Sequence, residues 1–161
     1  MPRVRHRLAA ILALATACLI AGPAGALGAG KVSVTGAKKE SGPYQATPDP
    51  SDFIPVTVQE PRDLFSKVRN KTNKRQHVRL MGNAGGDVKE FKFTWFQGER
   101  NITAAIQDKG YEFILKPSKS RVFRVRVKPL TKTADVCLYP TANAGGADKS
   151  VFFGINGNLC N

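Results

Sequence analysis

Residues 122–128 read Val-Phe-Arg-Val-Arg-Val-Lys, and this alternation constrains the fold more than any other pattern in the chain. Phe123, Val125 and Val127 share one parity; Arg124, Arg126 and Lys128 share the other. Side chains on a strand point alternately to opposite faces, so the stretch predicts a half-buried strand with an aliphatic inside and a cationic outside. Its β-branched residues favour the pleated form, and the turn signal Pro117-Ser118-Lys119 leads into it.

Similar signals recur along the chain. Residues 56–58 form a short apolar strand that Pro55 and Pro61 restrict to an edge. Strands follow at 64–69 and 76–81, separated by the polar turn 70–75, and 82–87 is expected to be a loop. Phe91, Phe93 and Trp95 share one face of the next strand and supply the largest aromatic contribution to the core. One helical turn is expected within 101–107, then a strand carrying Tyr111, Phe113 and Leu115. Residues 134–139 and 150–154 form a hairpin, and Asn156-Gly157 is a tight-turn signal. Seven or so short strands spaced about ten residues apart predict an all-β, antiparallel β-sandwich. Asn-Ala-Gly-Gly occurs at 83–86 and 143–146, but nothing beyond the tetrapeptide repeats, so it reads as shared turn chemistry.

The first residues lie outside this pattern. Arg3, Arg5 and Arg7 precede the apolar run 8–20, and small residues follow. That order is the one of a secretory signal peptide spanning 1–26, with cleavage after Ala24-Gly25-Ala26 and a second candidate site at Leu27-Gly28-Ala29. About 13 apolar residues fall short of the roughly 20 that span a bilayer. Residues 27–52, rich in Gly, Lys, Ser and Pro, are expected to be a flexible leader, and 53–161 the folded domain. Losing Arg3, Arg5 and Arg7 lowers the formal charge from +13 to +10, so the mature chain stays strongly basic.

Cysteine usage fits export. Cys137 and Cys160 remain as an even pair for an oxidising compartment, and their disulfide would close a loop of about 24 residues worth roughly 3 kcal/mol. Free buried thiols are the alternative. Ala15-Thr16-Ala17-Cys18 loosely matches a lipidation box, which opens the further alternative of a lipid-anchored surface protein, although Leu19-Ile20 stand where a polar linker is usual.

Three motifs, in order, carry a family resemblance: Val68-Arg69-Asn70-Lys71-Thr72; the segment 98–106, Gly-Glu-Arg-Asn-Ile-Thr-Ala-Ala-Ile; and Leu115-Lys116-Pro117-Ser118-Lys119-Ser120 before the alternating strand. Over residues 64–154 the chain resembles bacterial extracellular immunoglobulin-like domains of the CARDB and fibronectin III-like kind. The resemblance implies an Ig-like sandwich, an extracellular setting and no catalytic residues. Ser118 stands where these domains usually have Gly, and the C-terminal Cys pair is atypical of them.

Candidate chemistry is sparse. His77 is the only histidine beyond the signal segment, and with both cysteines paired no thiol nucleophile or zinc set can be assembled. Asp49 with Asp52 and Asp87 with Glu90 read as solvated carboxylates rather than a glycosidase pair. No enzyme, metal or cofactor is therefore expected. Charge placement is the positive feature. In an Ig-like strand order, 64–69 neighbours 121–128, which would put Lys67, Arg69, Arg124, Arg126 and Lys128 on one sheet face. One reading is a solvated face that resists aggregation, on a structural or accessory secreted protein. The other is a site for anionic wall polymer, acidic polysaccharide or another surface protein, on a secreted binding or adhesion module at the bacterial cell surface. Nucleic acid is disfavoured because Phe91, Phe93 and Trp95 are needed in the core. Membrane contact is expected only if Cys18 is lipidated.

Overall fold

The computed structural model describes residues 30–157 and Cys160. The expected signal peptide, its cleavage sites and Cys18 lie outside those residues. Among the described residues, eleven strands, one short α-helix and a 3-10 turn (Val88–Glu90, between β4 and β5) run in the order β1 (Val32–Ala37), β2 (Ile54–Val56), β3 (Arg62–Asn70), β4 (Gln76–Gly86), β5 (Phe91–Gln97), β6 (Arg100–Asn101), α1 (Thr103–Asp108), β7 (Tyr111–Leu115), β8 (Ser120–Pro129), β9 (Val136–Asn143), β10 (Lys149–Ser150) and β11 (Phe153–Ile155). Sheet A has the order β1-β3-β8-β5-β6; sheet B has β2-β11-β9-β4-β7, with β10 added beside β9. All pairings are antiparallel except that of β2 with β11. The two sheets pack as an immunoglobulin-like β-sandwich.

The alternation of β8 sets the register of sheet A. Phe123, Val125 and Val127 are fully buried, facing inward with Leu64 and Val68 of β3 and Trp95 of β5. Sheet B answers with Val78, Leu80, Phe113, Leu115, Leu138, Phe153 and Ile155. Removing this apolar area from water, at about 25 cal/mol per Å², is the main force holding the sheets together. Tyr111, Phe113 and Phe123 form an edge-and-tilt aromatic cluster across the interface, with Phe113 and Phe123 centroids 5.0 Å apart.

Three expectations are corrected. Residues 27–52 are not simply a leader, because β1 lies within them and pairs with β3 from Val32↔Asn70 to Ala37↔Phe65. Val32 and Val34 are buried, and the returning segment is tied by mutual backbone bonds between Gly36 and Gln45 (2.8 and 2.7 Å). Residues 82–86 are not a loop; β4 continues through them and pairs with β9 from Gly82↔Pro140 to Gly86↔Val136. The glycine at 82 is a matter of space. A Cβ there would lie 2.7 Å from the Trp95 ring and 2.6 Å from Ile106, so the strand must be bare where the tryptophan and helix α1 press on it. The expected hairpin is longer than 134–139 and 150–154 imply, since β9 runs to Asn143 and its return is split into β10 and β11. With β1, the split return of the hairpin and the two-residue β6, the described residues carry eleven strands.

Beyond β11 the chain turns at Asn156, whose φ is +59°, a conformation Asn tolerates better than most residues. Its side chain accepts from Val58 N–H (2.7 Å) and donates to the carbonyls of Val58 and Ala134. Cys160 is disulfide-bonded to Cys137 of β9, with Cα atoms 5.0 Å apart.

Candidate functional site: a divided cationic face and a basic pole

The outer face of sheet A follows from the register. Lys67 and Arg69 of β3 lie opposite Val122 and Ser120 of β8; Asp63 and Phe65 lie opposite Arg126 and Arg124. On the other side, Lys92 of β5 is opposite Lys128, Thr94 opposite Arg126 and Phe96 opposite Arg124. The register puts Lys67, Arg69, Arg124, Arg126 and Lys128 on this face, but they do not form one patch. Arg69 is level with Ser120, so Lys128 lies eight residues further along β8, roughly 27 Å away.

Asp63 divides them. Its carboxylate accepts from Arg126 Nε (2.8 Å) and Nη2 (3.0 Å) and from Arg124 Nη1 (3.1 Å). The Arg126 hydrogen bond foremost, against the opposing cost of burial, holds Asp63 below the usual aspartate range, with Arg124 adding to the effect. Arg124 also stacks over the Phe96 ring, 4.3 Å from its centroid. A hollow of about 190 Å³ beside it is lined by three carboxylates, Glu40, Asp63 and Glu99. The middle of the face is thus charge-compensated, contrary to the expectation of a uniformly cationic surface. Lys67 is further occupied by Tyr44 from the returning segment, its ammonium 3.7 Å from the ring centroid. Burial, and secondarily Glu40, raises the Tyr44 pKa, so the hydroxyl stays neutral and donates to the Glu40 carbonyl (2.9 Å). Lys92 and Lys128 face each other at the far end, a like-charge pair of the kind that destabilises adjacent strands.

Arg69 leads to a different surface. The turn 71–75 and the turn 116–119 meet at one end of the sandwich and carry exposed Lys71, Lys74, Arg75, Lys116 and Lys119. Arg121 lies just inside, its guanidinium 5.0 Å from the Phe113 centroid. No aspartate or glutamate occurs between Asp63 and Asp87, or between Glu112 and Asp135. Among the described residues the ion pairs are those of Asp63 and the Arg79–Glu112 pair, so none of these cations is neutralised.

The clasp between the two turns is Asn70, which is fully buried. Its amide nitrogen donates to the carbonyls of Lys74 (2.8 Å), Lys116 (3.1 Å) and Leu115 (3.2 Å). Its amide oxygen accepts from the N–H and the hydroxyl of Thr72, both at 2.9 Å. Backbone bonds complete the joint: Asn70 N–H to Lys119 O, Ser118 N–H to Thr72 O, and Lys71 N–H to Lys31 O. Lys119 N–H closes on Lys116 O, with Pro117 second in the turn and Ser118 third at φ +57°, the pattern of a type II turn. The serine therefore keeps the turn geometry that glycine normally provides. The two sequence motifs around Asn70 and Pro117 are halves of one structure.

On the outer face of sheet B, His77, Arg79, Met81, Glu112, Asn143 and Asp148 line an open groove of about 400 Å³. Arg79 is bound to Glu112 (2.7 Å). No group of three His, Cys, Asp or Glu side chains able to hold a metal occurs among the described residues.

No protein-family model matches the chain, and no curated protein matches it. Among solved structures, a FixG-related protein from Vibrio parahaemolyticus is similar with a TM-score of 0.42 at 9% identity, over 78% of this chain and 96% of that one. The ASH/PapD-like domain 7 of human CEP192 is similar with a TM-score of 0.35 at 10% identity, over 71% of this chain and 88% of that one. At these scores the fold rests on the strand pairing above, not on the matches.

Proposed function

We propose that the chain is a non-enzymatic binding or accessory module of the extracellular Ig-like kind, exported to the bacterial cell surface, that engages anionic polymers through its uncompensated cations. The observation carrying this reading is the imbalance at the surface: Lys67, Arg69, Lys92 and Lys128 stand outside every ion pair of the described residues. Maintaining Lys92 and Lys128 opposite one another costs stability, and an anion bridging them offsets that cost. The CARDB and fibronectin III-like motifs, the disulfide and the signal-peptide pattern support the extracellular setting. The test is sedimentation with isolated cell wall at low salt. A Lys67/Arg69/Lys92/Lys128-to-Ser variant should bind more weakly than the parent and show a smaller salt dependence. Parent protein that fails to bind wall, polysaccharide or any other polyanion at low salt overturns the reading.

A second reading, an accessory protein contacting its partner through residues 142–148, is favoured by the groove beside that loop. Surface-material capture that persists at high salt and is lost on changing Asn143 and Asp148 would select it over the first.

A further inference from the structure

We infer that the basic pole formed by the 71–75 and 116–119 turns is a preformed site for a linear phosphate-bearing polymer, read through its charge alone. The inference rests on the proposed anionic ligand and moves the main contact from the sheet face to the end of the sandwich. Three observations converge there. The cations are uncompensated, whereas the middle of the face is held by Asp63. The carboxylates on the neighbouring flank, Glu112 and Asp148, are engaged by Arg79 and Asn143.

The cations are also pre-positioned. Asn70, buried and bonded five ways, fixes the backbone of both turns, so binding need not first order two flexible loops. A β-turn brings its first and last Cα atoms within about 7 Å, which sets Lys116 and Lys119 close together beside Lys74. Cations this dense match a chain of closely spaced charges, whose condensed counterions are released on binding.

The residue types indicate the anion. Lys71, Lys74, Lys116 and Lys119, with Arg75 beside them, are mostly point charges indifferent to the anion's orientation, so the pole reads density of charge, which a polymer with a phosphate at every unit supplies. Neither turn carries an aromatic residue on which a base could stack. A bilayer surface fits less well: among the described residues Val88 and Leu130, two of the three exposed large apolar side chains, lie at the opposite end of sheet A, and Ile114 lies on sheet B opposite His77.

The experiment uses the whole mature protein and four probes: long-chain inorganic polyphosphate, monomeric phosphate, polygalacturonate and oligothymidylate. Polyphosphate should bind with an affinity that falls as salt rises, and monomeric phosphate should not bind measurably. A Lys71/Lys74/Lys116/Lys119-to-Ser variant, shown to be folded by its unchanged thermal transition, should lose about 0.7 of log–log salt slope per cation removed, roughly three in all. A face variant lacking Lys92 and Lys128 should keep most of the slope. If the pole variant binds polyphosphate as the parent does while the face variant fails, the pole assignment is wrong and the proposed function stands. If the parent binds none of the polymers, both fall. Tighter binding of polygalacturonate than of polyphosphate overturns the ligand class, and tighter binding of oligothymidylate overturns a reading through charge alone.

Discussion

Replacing Asn70 by Ala tests whether one buried amide organises the pole. The substitution removes three donated and two accepted hydrogen bonds from a side chain with no exposure. The bond to the Leu115 carbonyl is buried and the others partly so; only the former is left wholly without water. A stranded buried polar group costs about 1–3 kcal/mol, and partly wetted ones cost less, so the total should be about 3 kcal/mol. For a domain of this size that lowers Tm by about 10 °C. Urea denaturation of the oxidised protein reads it directly, as a reduced midpoint at unchanged m. Asn70→Asp should be worse at neutral pH, because a carboxylate would face three carbonyl oxygens. Its carboxyl pKa in the folded state would be raised, so its excess destabilisation should be greatest at neutral pH and shrink as the group protonates. An Asn70→Ala protein within about 0.5 kcal/mol of the parent would refute the clasp and, with it, the preformed pole.

Ser118→Gly should stabilise the protein by up to about 1 kcal/mol, since glycine meets φ +57° without the Cβ penalty; a lower denaturation midpoint would contradict the type II turn. Ser66→Ala should be neutral or stabilising by about 1 kcal/mol, because the buried hydroxyl has no hydrogen-bond partner; a loss above that would show a partner exists. Asp63→Asn should destabilise by about 1 kcal/mol or less at pH 7, as expected for a partly solvated ion pair. The Asp63 pKa is lowered by folding, so its contribution is complete above about pH 4 and disappears as pH falls through the depressed value; the parent and variant curves should converge in acid. The same variant frees Arg124 and Arg126 and should strengthen polyanion binding at low salt, which a binding titration measures.

The core strands were legible in the sequence because their alternation survives any choice of neighbour. Val32 and Val34 carry the same alternation, but the Gly, Lys and Pro around them pointed to a leader, and only pairing with β3 makes them a strand. Glycines counted against a strand at 82–86 because the reason for them, Trp95 and Ile106 pressing on Gly82, is tertiary. The site was legible in part. Its cations are plain, and the neighbouring of β3 and β8 follows from the fold class. Asp63 was missed because the alternation reads only from Leu64, two residues after the strand starts at Arg62. The pole was missed because Asn70 resembles any turn asparagine until its amide is seen between two turns some 45 residues apart in sequence.

The parallel pairing of β2 with β11 has a consequence for the order of assembly. Ile54 lies beside Phe153 and Val56 beside Ile155, so an early strand waits for a segment about 100 residues further along the chain. Synthesis at 5–20 residues per second leaves β2 without its partner for roughly 5–20 s. Contacts this distant in sequence also belong to the slow class of all-β folding, in milliseconds to seconds. The β2 edge of sheet B therefore closes late, and the Cys137–Cys160 bond, just beyond β11, ties the chain that follows this edge to β9.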